Sequence, residues 1–281
     1  MASGENEQAA LQWQVGVWDR RAPIYLREVD DRFTEIIDGV IRRASLRPGQ
    51  QVLDLGTGTG SVALKAASSV TPGGTVTAMD ISSEMLGLAR QRAASLGLSN
   101  MTFLEGRAEE IPAPSAGFEA VLASLSLMYA IDRAAAAREI ARVLRPGGRL
   151  VAAVWGGPEQ ADTVRFQQTA GSFAPKPPVP GVGPGVLADP AEFLAQLESA
   201  GIRASVEAES TSFAFADFSS AWDVLAGVTA AQLSSERQEE AKAAVRRADM
   251  ANGRWAPPFQ QLDAIHRRRT VIAHWSDVCG G

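Results

Sequence analysis

The sequence predicts an α/β fold: a mostly parallel sheet of seven strands, helices on both of its faces, and a helical cap. Three observations carry that prediction. Val52 to Leu55 is a short apolar run that ends in glycines at alternate positions, Gly56, Gly58 and Gly60, and a helical apolar pattern follows at Val62, Ala63, Ala66, Ala67 and Val70. A strand, a glycine turn and a helix place a ligand over the carboxyl end of the strand and the amino end of the helix. Thr75 to Ala78 is a second strand, and it ends at Asp80, twenty residues beyond Gly60. Strand and helix patterns then alternate as far as Trp155, which favours parallel order.

The bulk properties set the outer limits. A chain of 281 residues that is 46% hydrophobic and 21% charged can bury a sizeable core, as one large domain or a domain with a small cap. A net charge of −5 disfavours a nucleic-acid partner, since phosphate binding needs clustered Lys and Arg. The one basic cluster, Arg267 to Arg269, adjoins an apolar run and reads as a strand end. A single cysteine, Cys279, excludes an intrachain disulfide and a thiolate metal cluster. No apolar run reaches about 18 residues, and the N-terminus lacks a basic and then apolar signal pattern. A soluble, cytoplasmic protein with no membrane insertion is therefore expected.

Taken in order, residues 1–10 are polar and expected to be disordered. Leu11 to Ala44 carries an interrupted helical pattern in which Pro23 should open or kink a helix. Trp13, Trp18 and Tyr25 serve either as core packing or as a lid, and residues 1–44 are read as an N-terminal helical lid. Residues 45–281 form the main domain, with cap insertions at about 156–188 and 213–262. After Asp80, Ser82 or Ser83 caps a helix with Glu84 in its first turn, and Met85, Leu88, Ala89 and Leu96 form its apolar stripe. Met101 to Glu105 is the third strand and Phe118 to Ser124 the fourth. A helix closes at Leu144, Arg145 to Gly148 turns, and Arg149 to Trp155 is the fifth strand.

Ser172 to Pro190 is proline-rich and extended, and reads as a lid or pocket wall. Asp189-Pro190 opens a helix that Gly201 stops. Ile202 to Thr211 is the sixth strand, Ser235 with Gln238 a capping box, and Thr270 to Trp275 an antiparallel edge strand.

Chemistry enters at the glycines. An acid at the tip of the second strand can accept both hydroxyls of a ribose, so Asp80 points to a nucleoside-bearing cofactor. The dinucleotide fingerprint needs Gly-x-Gly-x-x-Gly, and Ser61 occupies the third place. Asp54 followed by Gly56-x-Gly58-x-Gly60 resembles instead the first motif of class I S-adenosylmethionine-dependent methyltransferases. Leu144-Arg-Pro-Gly-Gly-Arg-Leu150 resembles their last common motif, a structural turn. These motifs span Gln51 to Trp155, and the pattern is most similar to the UbiE-like group, which methylates small molecules on carbon or oxygen.

The resemblance implies a Rossmann-like fold, S-adenosyl-L-methionine as cofactor, and a set of cofactor-binding residues. These are Asp54, Gly56, Thr57, Gly58 and Gly60 in the turn, Asp80 on the ribose, and Ile81 and Met85 against ribose and adenine. Arg107 and Ala108 fall at the adenine position, and Ser124 at the strand end that faces the transferred methyl. The family's usual Gly-Asp-Ala is Gly106-Arg107-Ala108 here. An Arg cannot accept a hydrogen bond, so adenine recognition passes to backbone around Ala108 or to Glu109, with Arg107 free to stack on the purine. The resemblance further implies a lid segment over the site, with Tyr25 near the methionine end.

No Asn-Pro-Pro-Tyr-like tetrad follows the fourth strand, and Ala256-Pro257-Pro258-Phe259 lies far from it. The Asp cluster of a magnesium-dependent enzyme is also missing, so no metal is expected. His266 and His274 are read as structural, no catalytic base is assigned, and Tyr25 and Tyr129 are candidates for orienting a substrate hydroxyl. Trp13, Trp18, Tyr25, Trp155, Phe173, Phe213, Phe215, Phe218 and Trp222 crowd the cap and point to a small, largely apolar, ring-containing acceptor, quinol-like or polyketide-like. Three other readings stay open: an NAD-dependent oxidoreductase, a noncatalytic nucleoside-cofactor-binding protein, and a nucleic-acid or protein methyltransferase, which would be expected to carry a basic groove. Oligomeric state is not legible.

Overall fold

The computed structural model describes residues 2–212, 215, 217–230, 233–250 and 268–274. Expectations that concern Phe213, the run 256–259, His266, Arg267 and Cys279 lie outside the described residues, as does the side chain of His274.

Five parallel strands make the body of the sheet: β1 (Gln51–Leu55), β2 (Thr75–Asp80), β3 (Met101–Glu105), β4 (Phe118–Ser124) and β5 (Leu144–Trp155). Their spatial order is β3-β2-β1-β4-β5, which puts β1 between β2 and β4. The chain direction reverses its progress across the sheet between β3 and β4, the switch point where such sheets bind ligands. Val52 and Leu53 point to opposite faces and both are fully buried, so both faces are covered. That is why Ala120–Ala123 of β4 reads as a continuous apolar run rather than as an alternation. Helices α3 (Ser61–Ser69), α4 (Ser83–Ser95) and α5 (Arg133–Val143) link successive strands. Beyond β5 the order continues through β7 (Arg268–His274) to β6 (Ser205–Thr211), both in antiparallel pairing.

Several expectations are corrected. Residues 2–10 are helical: α1 runs Ala2–Ile24, with Ala10 buried and Glu7 paired with Arg107. The composition of this segment is polar, but tertiary contacts hold it. Pro23 lies in the last turn of α1 and lacks the N–H that would bond back one turn. The chain there widens into a π-helix over Tyr25–Val29 before α2 (Thr34–Ala44) begins.

Arg145 to Gly148 is no separate turn. Leu144 pairs with Phe118 and Arg149 with Ala120, so these residues are extruded as a bulge within β5. The sixth strand starts at Ser205, later than expected.

Helix α6 (Asp162–Gly171) leads into the proline-rich loop. That loop does not line either large cavity. It buries Leu187 beside α5 and α7 (Pro190–Glu198) and donates the Gly183 amide to the Met128 carbonyl at 2.9 Å. Helices α8 (Phe218–Ala230) and α9 (Ser235–Met250) pack on α6. Ser234, not Ser235, caps α9: its hydroxyl accepts from the Arg237 backbone amide at 3.3 Å, while the Gln238 side-chain Nε2 donates to the Leu233 carbonyl at 3.2 Å. The expected caps Ser82 and Asp189 accept from the amides of Met85 and Ala191. Among the described residues no helix is long and apolar enough to cross a membrane.

Candidate functional site

The glycine turn is fixed by what surrounds it. Gly56 has φ of +71°, and a Cβ there would stand 2.4 Å from the Ser126 Cβ. Ser126 is held in place because its hydroxyl donates to the Leu55 carbonyl at 2.6 Å, tying the exit of β4 to the exit of β1. Only glycine fits such an approach. Gly58 differs: a Cβ would project into open space, meeting only Met85 and Tyr25 atoms at 4.0 Å. Its absence leaves a cradle at the loop surface. Gly60 packs under the loop against Ala89 of α4.

Asp80 closes the opposite side. One carboxylate oxygen accepts from the Gly58 amide at 2.8 Å and the other from the Ser82 amide at 2.9 Å. Burial pushes this carboxyl above its ordinary range, and those amide bonds oppose the shift. Each oxygen keeps lone pairs for a further donor, and the residue lines the cleft.

Asp54 serves the loop from beneath. It is 1% exposed, accepts from the Thr57 hydroxyl at 2.7 Å, and does not line the cleft. Burial pushes its carboxyl up to about 7, with bonds from Thr57 and the Ala63 amide acting the other way.

The cleft lies at the carboxyl ends of β1 to β4, with Leu55, Asp80, Gly106 and Ser124 on its floor, and spans about 790 Å³, the solvent at its open mouth included. Helix α1 roofs it with Leu11, Gln14 and Trp18, and Tyr25 follows from the π-helix. Four ties hold this roof. Glu7 pairs with Arg107 at 2.5 Å, and the Gln14 amide donates to the Tyr129 carbonyl at 2.9 Å. The Ser82 hydroxyl donates to Asp19 at 2.6 Å. Asp30, just past the π-helix and 7% exposed, accepts from the Thr59 hydroxyl at 2.6 Å and from Arg92 at 2.7 Å. The same Arg92 nitrogen reaches the Thr59 carbonyl and the Ser61 hydroxyl, so the lid is fastened directly to the glycine loop.

A second chamber, spanning about 530 Å³ with the solvent at its mouth included, adjoins the first. Trp18, Tyr25, Leu125 and Tyr129 line both. The second is walled by aromatics in edge-to-face sequence: Tyr129 against Trp18 (4.8 Å between centroids), Trp18 against Tyr25, Tyr25 against Phe33, and Phe33 against Trp155 (5.7 Å). Burial raises both phenols, Tyr129 to about 12 and Tyr25 further. Both are therefore neutral near pH 7.

Of the residues expected from sequence, Gly56, Gly58, Asp80, Ile81, Met85, Arg107, Ala108, Ser124, Tyr25 and Tyr129 meet at the first cleft. Asp54, Thr57 and Gly60 stand behind it. Arg107 lines the cleft but pairs with Glu7, and Glu109 accepts from the amides of Ile131 and Asp132. Of the cap aromatics, Trp18, Tyr25, Trp155 and Phe215 line a cavity. Phe218 and Trp222 instead pack with Phe166, and Phe173 lies under Arg237. Gln14, Ser126, Asp30 and Arg92 were not anticipated, since nothing local in the sequence marks them. Among the described residues no group of three His, Cys, Asp or Glu side chains is placed to hold a metal ion.

A parallel sheet with a glycine turn after β1 and an acid at the tip of β2 defines a nucleoside-cofactor site in a Rossmann-like domain. Residues 46–170 match the family model described as a methyltransferase domain. The chain is 35% identical over 135 residues to nocamycin O-methyltransferase of Saccharothrix syringae, covering 48% of this chain and 46% of that protein. It is 39% identical over 121 residues to the ubiquinone/menaquinone biosynthesis C-methyltransferase UbiE of Ectopseudomonas mendocina (strain ymp), covering 43% and 45%. The chain thus spans about half the length of these curated relatives. The fold matches the crystal structure of the YcgJ protein of Bacillus subtilis with a TM-score of 0.64 at 18% identity, covering 87% of this chain and 98% of that one. Residues 46–170 are thus similar to a methyltransferase domain, and the stretch shared with UbiE lies within a protein named as a C-methyltransferase.

Proposed function

We propose that this protein transfers a methyl group from S-adenosylmethionine to oxygen or carbon of a small, largely apolar, ring-containing acceptor, quinol-like or polyketide-like, without a metal. One observation carries the reading: a cleft over Gly58 and Asp80 opens, past a shared wall of Trp18, Tyr25 and Tyr129, onto an aromatic chamber. The relatives' names, an O-methyltransferase and a C-methyltransferase of ubiquinone/menaquinone biosynthesis, are in keeping with it.

The Gly58 cradle and Asp80 fit an adenosyl group, with Ile81 and Met85 against its rings and Gly56, Ala108 and Ser124 completing the contact. When bound, S-adenosylmethionine would supply a methyl on a sulfonium, so that its transfer would leave the S–C electron pair on sulfur and the acceptor's displaced proton would pass to solvent. The protein aligns the acceptor, at roughly 3 Å in a near-attack geometry, and excludes water. Trp18, Tyr25 and Tyr129 do both. As neutral phenols the two tyrosines orient an acceptor oxygen by hydrogen bonding and take no proton.

Residues 1–44 act as the lid, chiefly through α1 and the π-helix, since α2 packs into the core through Ile36 and Val40. The cap insertions at about 156–188 and 213–262 complete a domain built on a seven-stranded sheet. A net charge of −5 argues against a nucleic-acid substrate.

The test is a thermal-shift screen with S-adenosylmethionine, S-adenosylhomocysteine and NAD, followed by a methyl-transfer screen of phenolic and polyanionic acceptors with and without EDTA. Stabilisation by the first two ligands and EDTA-resistant turnover of phenolic rings are expected. Stabilisation by NAD alone, or turnover restricted to nucleic acid, protein or polyanions, would contradict the proposal.

A further inference from the structure

The second chamber contains a polar group that the fold leaves unused. Gln167, on α6, lines it, and its side-chain carbonyl oxygen is buried with no hydrogen-bond partner. Buried carbonyls are nearly always paired, so an unpaired one on a residue of the cavity wall marks a place that a small side-chain shift would open to a donor. Thr163, one turn earlier on the same helix face, lines the chamber as well. Two arginines line the chamber as well. Arg21 donates to the Val224 carbonyl at 2.9 Å, and Arg32 lies over the Phe215 ring at 5.0 Å while pairing with Glu28 at 3.3 Å. No carboxylate is among the lining residues described. The rings of Phe33 and Trp155 belong to the same wall.

We infer that this chamber is the acceptor site and selects a ring that carries two separate oxygens: Gln167 accepts a hydrogen bond from a ring hydroxyl, while a second, electron-rich oxygen lies toward the arginines. Gln167 is a specificity-determining residue. It recognises a hydroxyl that a methyl ether lacks, at a ring position away from the methyl-transfer wall of Tyr25 and Tyr129. Stacking on the aromatic walls is indifferent to that difference, and the buried polar group is not. The inference rests on the reading of the first cleft as the cofactor site.

The experiment is calorimetric titration of the full chain, saturated with S-adenosylhomocysteine, with 6-hydroxy-1-tetralone and 6-methoxy-1-tetralone. These probes are planar, carry a carbonyl oxygen at one end, and differ only in the hydroxyl at the other. The wild type should bind the hydroxyl probe about tenfold more tightly, the scale of one hydrogen bond. Gln167→Leu should abolish the preference and leave the S-adenosylhomocysteine dissociation constant unchanged. Gln167→Glu, which keeps an acceptor oxygen, should retain the preference, and it guards against a Leu variant that fails to fold. With S-adenosylhomocysteine bound normally, equal binding of the two probes, no binding of either, or a preference that survives Gln167→Leu overturns the assignment of Gln167 alone. A wild type that does not bind S-adenosylhomocysteine overturns the cofactor reading and this inference with it.

Discussion

In the cofactor cleft the polar contacts are made largely by backbone amides, those of Gly58 and Ser82 on Asp80 among them. In the aromatic chamber next to it the recognition groups are side chains: Trp18, Arg21 and Tyr25 from the N-terminus, Trp155 from β5, Gln167 from α6 and Phe215 ahead of α8. The first site draws on four strand tips and on α1, all within residues 11–131. The second is gathered from segments up to about two hundred positions apart. Backbone recognition is bound to the fold and changes little unless the turn itself breaks, whereas side-chain recognition can be altered one residue at a time. On the proposed reading the cleft serves the cofactor that the fold is built for, and the chamber sets which acceptor is taken.

The most damaging way to break that contrast is Gly56→Ala. The new Cβ would meet Ser126 at 2.4 Å from a backbone of positive φ. A loss of at least about 3 kcal/mol in stability is expected, with S-adenosylhomocysteine binding gone. Thermal unfolding and calorimetry would show it, and near-normal behaviour of the variant would mean that the turn is softer than its packing implies.

Asp30→Ala removes the acceptor that joins Arg92 and Thr59 to the lid. It should cost about 2–3 kcal/mol and speed hydrogen exchange of the amides in residues 2–29 more than in β1. Uniform acceleration would instead show a global loss.

Asp80→Ala should weaken S-adenosylmethionine binding by roughly 1.5–3 kcal/mol while leaving the fold intact. An unchanged dissociation constant for the folded variant would remove Asp80 from the site.

Asp54 gives a pH-dependent test. Its folded pKa of about 7 stands above the ordinary 3.8, so the folded state holds the proton more tightly than the unfolded chain. Its contribution is fully present below about pH 4, declines as pH rises to about 7, and is flat above that. Relative to Asp54→Asn, the wild type should thus lose stability across pH 4 to 7, by an amount on the order of 1–4 kcal/mol. A difference that is constant across this range, measured by urea unfolding, would show that the carboxyl is ionised throughout.

The smallest effect belongs to Glu7→Gln. The ion pair with Arg107 is part-exposed, and its loss should change stability by under about 1 kcal/mol, more at low salt than at high.

The contrast also explains what the sequence made legible. The glycines and Asp80 were readable because a tight turn and a ribose acceptor each need a particular residue type at a particular spacing. Asp54 was assigned with them, yet it supports the loop through Thr57, and spacing cannot tell a contact from a prop. Arg107 departs from the family's pattern, and only the packing of α1 shows that it pairs with Glu7 across a hundred positions. The Asp30–Thr59–Arg92 junction was unreadable for the same reason: each residue alone is an ordinary surface type, and the meaning lies in their meeting. Residues 2–10 were misjudged because polar composition says little about a helix held by tertiary contacts. Gln167 sits in a plain amphipathic stretch, and only an unpaired oxygen on a residue of the cavity wall marks it.

The division of labour between cleft and chamber is tested most directly by a crystal structure of the protein with S-adenosylhomocysteine. The account predicts ribose hydroxyls within hydrogen-bond reach of Asp80, the chain of the ligand over Gly58, and its sulfur facing the wall of Tyr25 and Tyr129, with the Gln167 chamber left open beyond. A ligand whose nucleoside occupies the chamber, or whose sulfur points away from that wall, would contradict it.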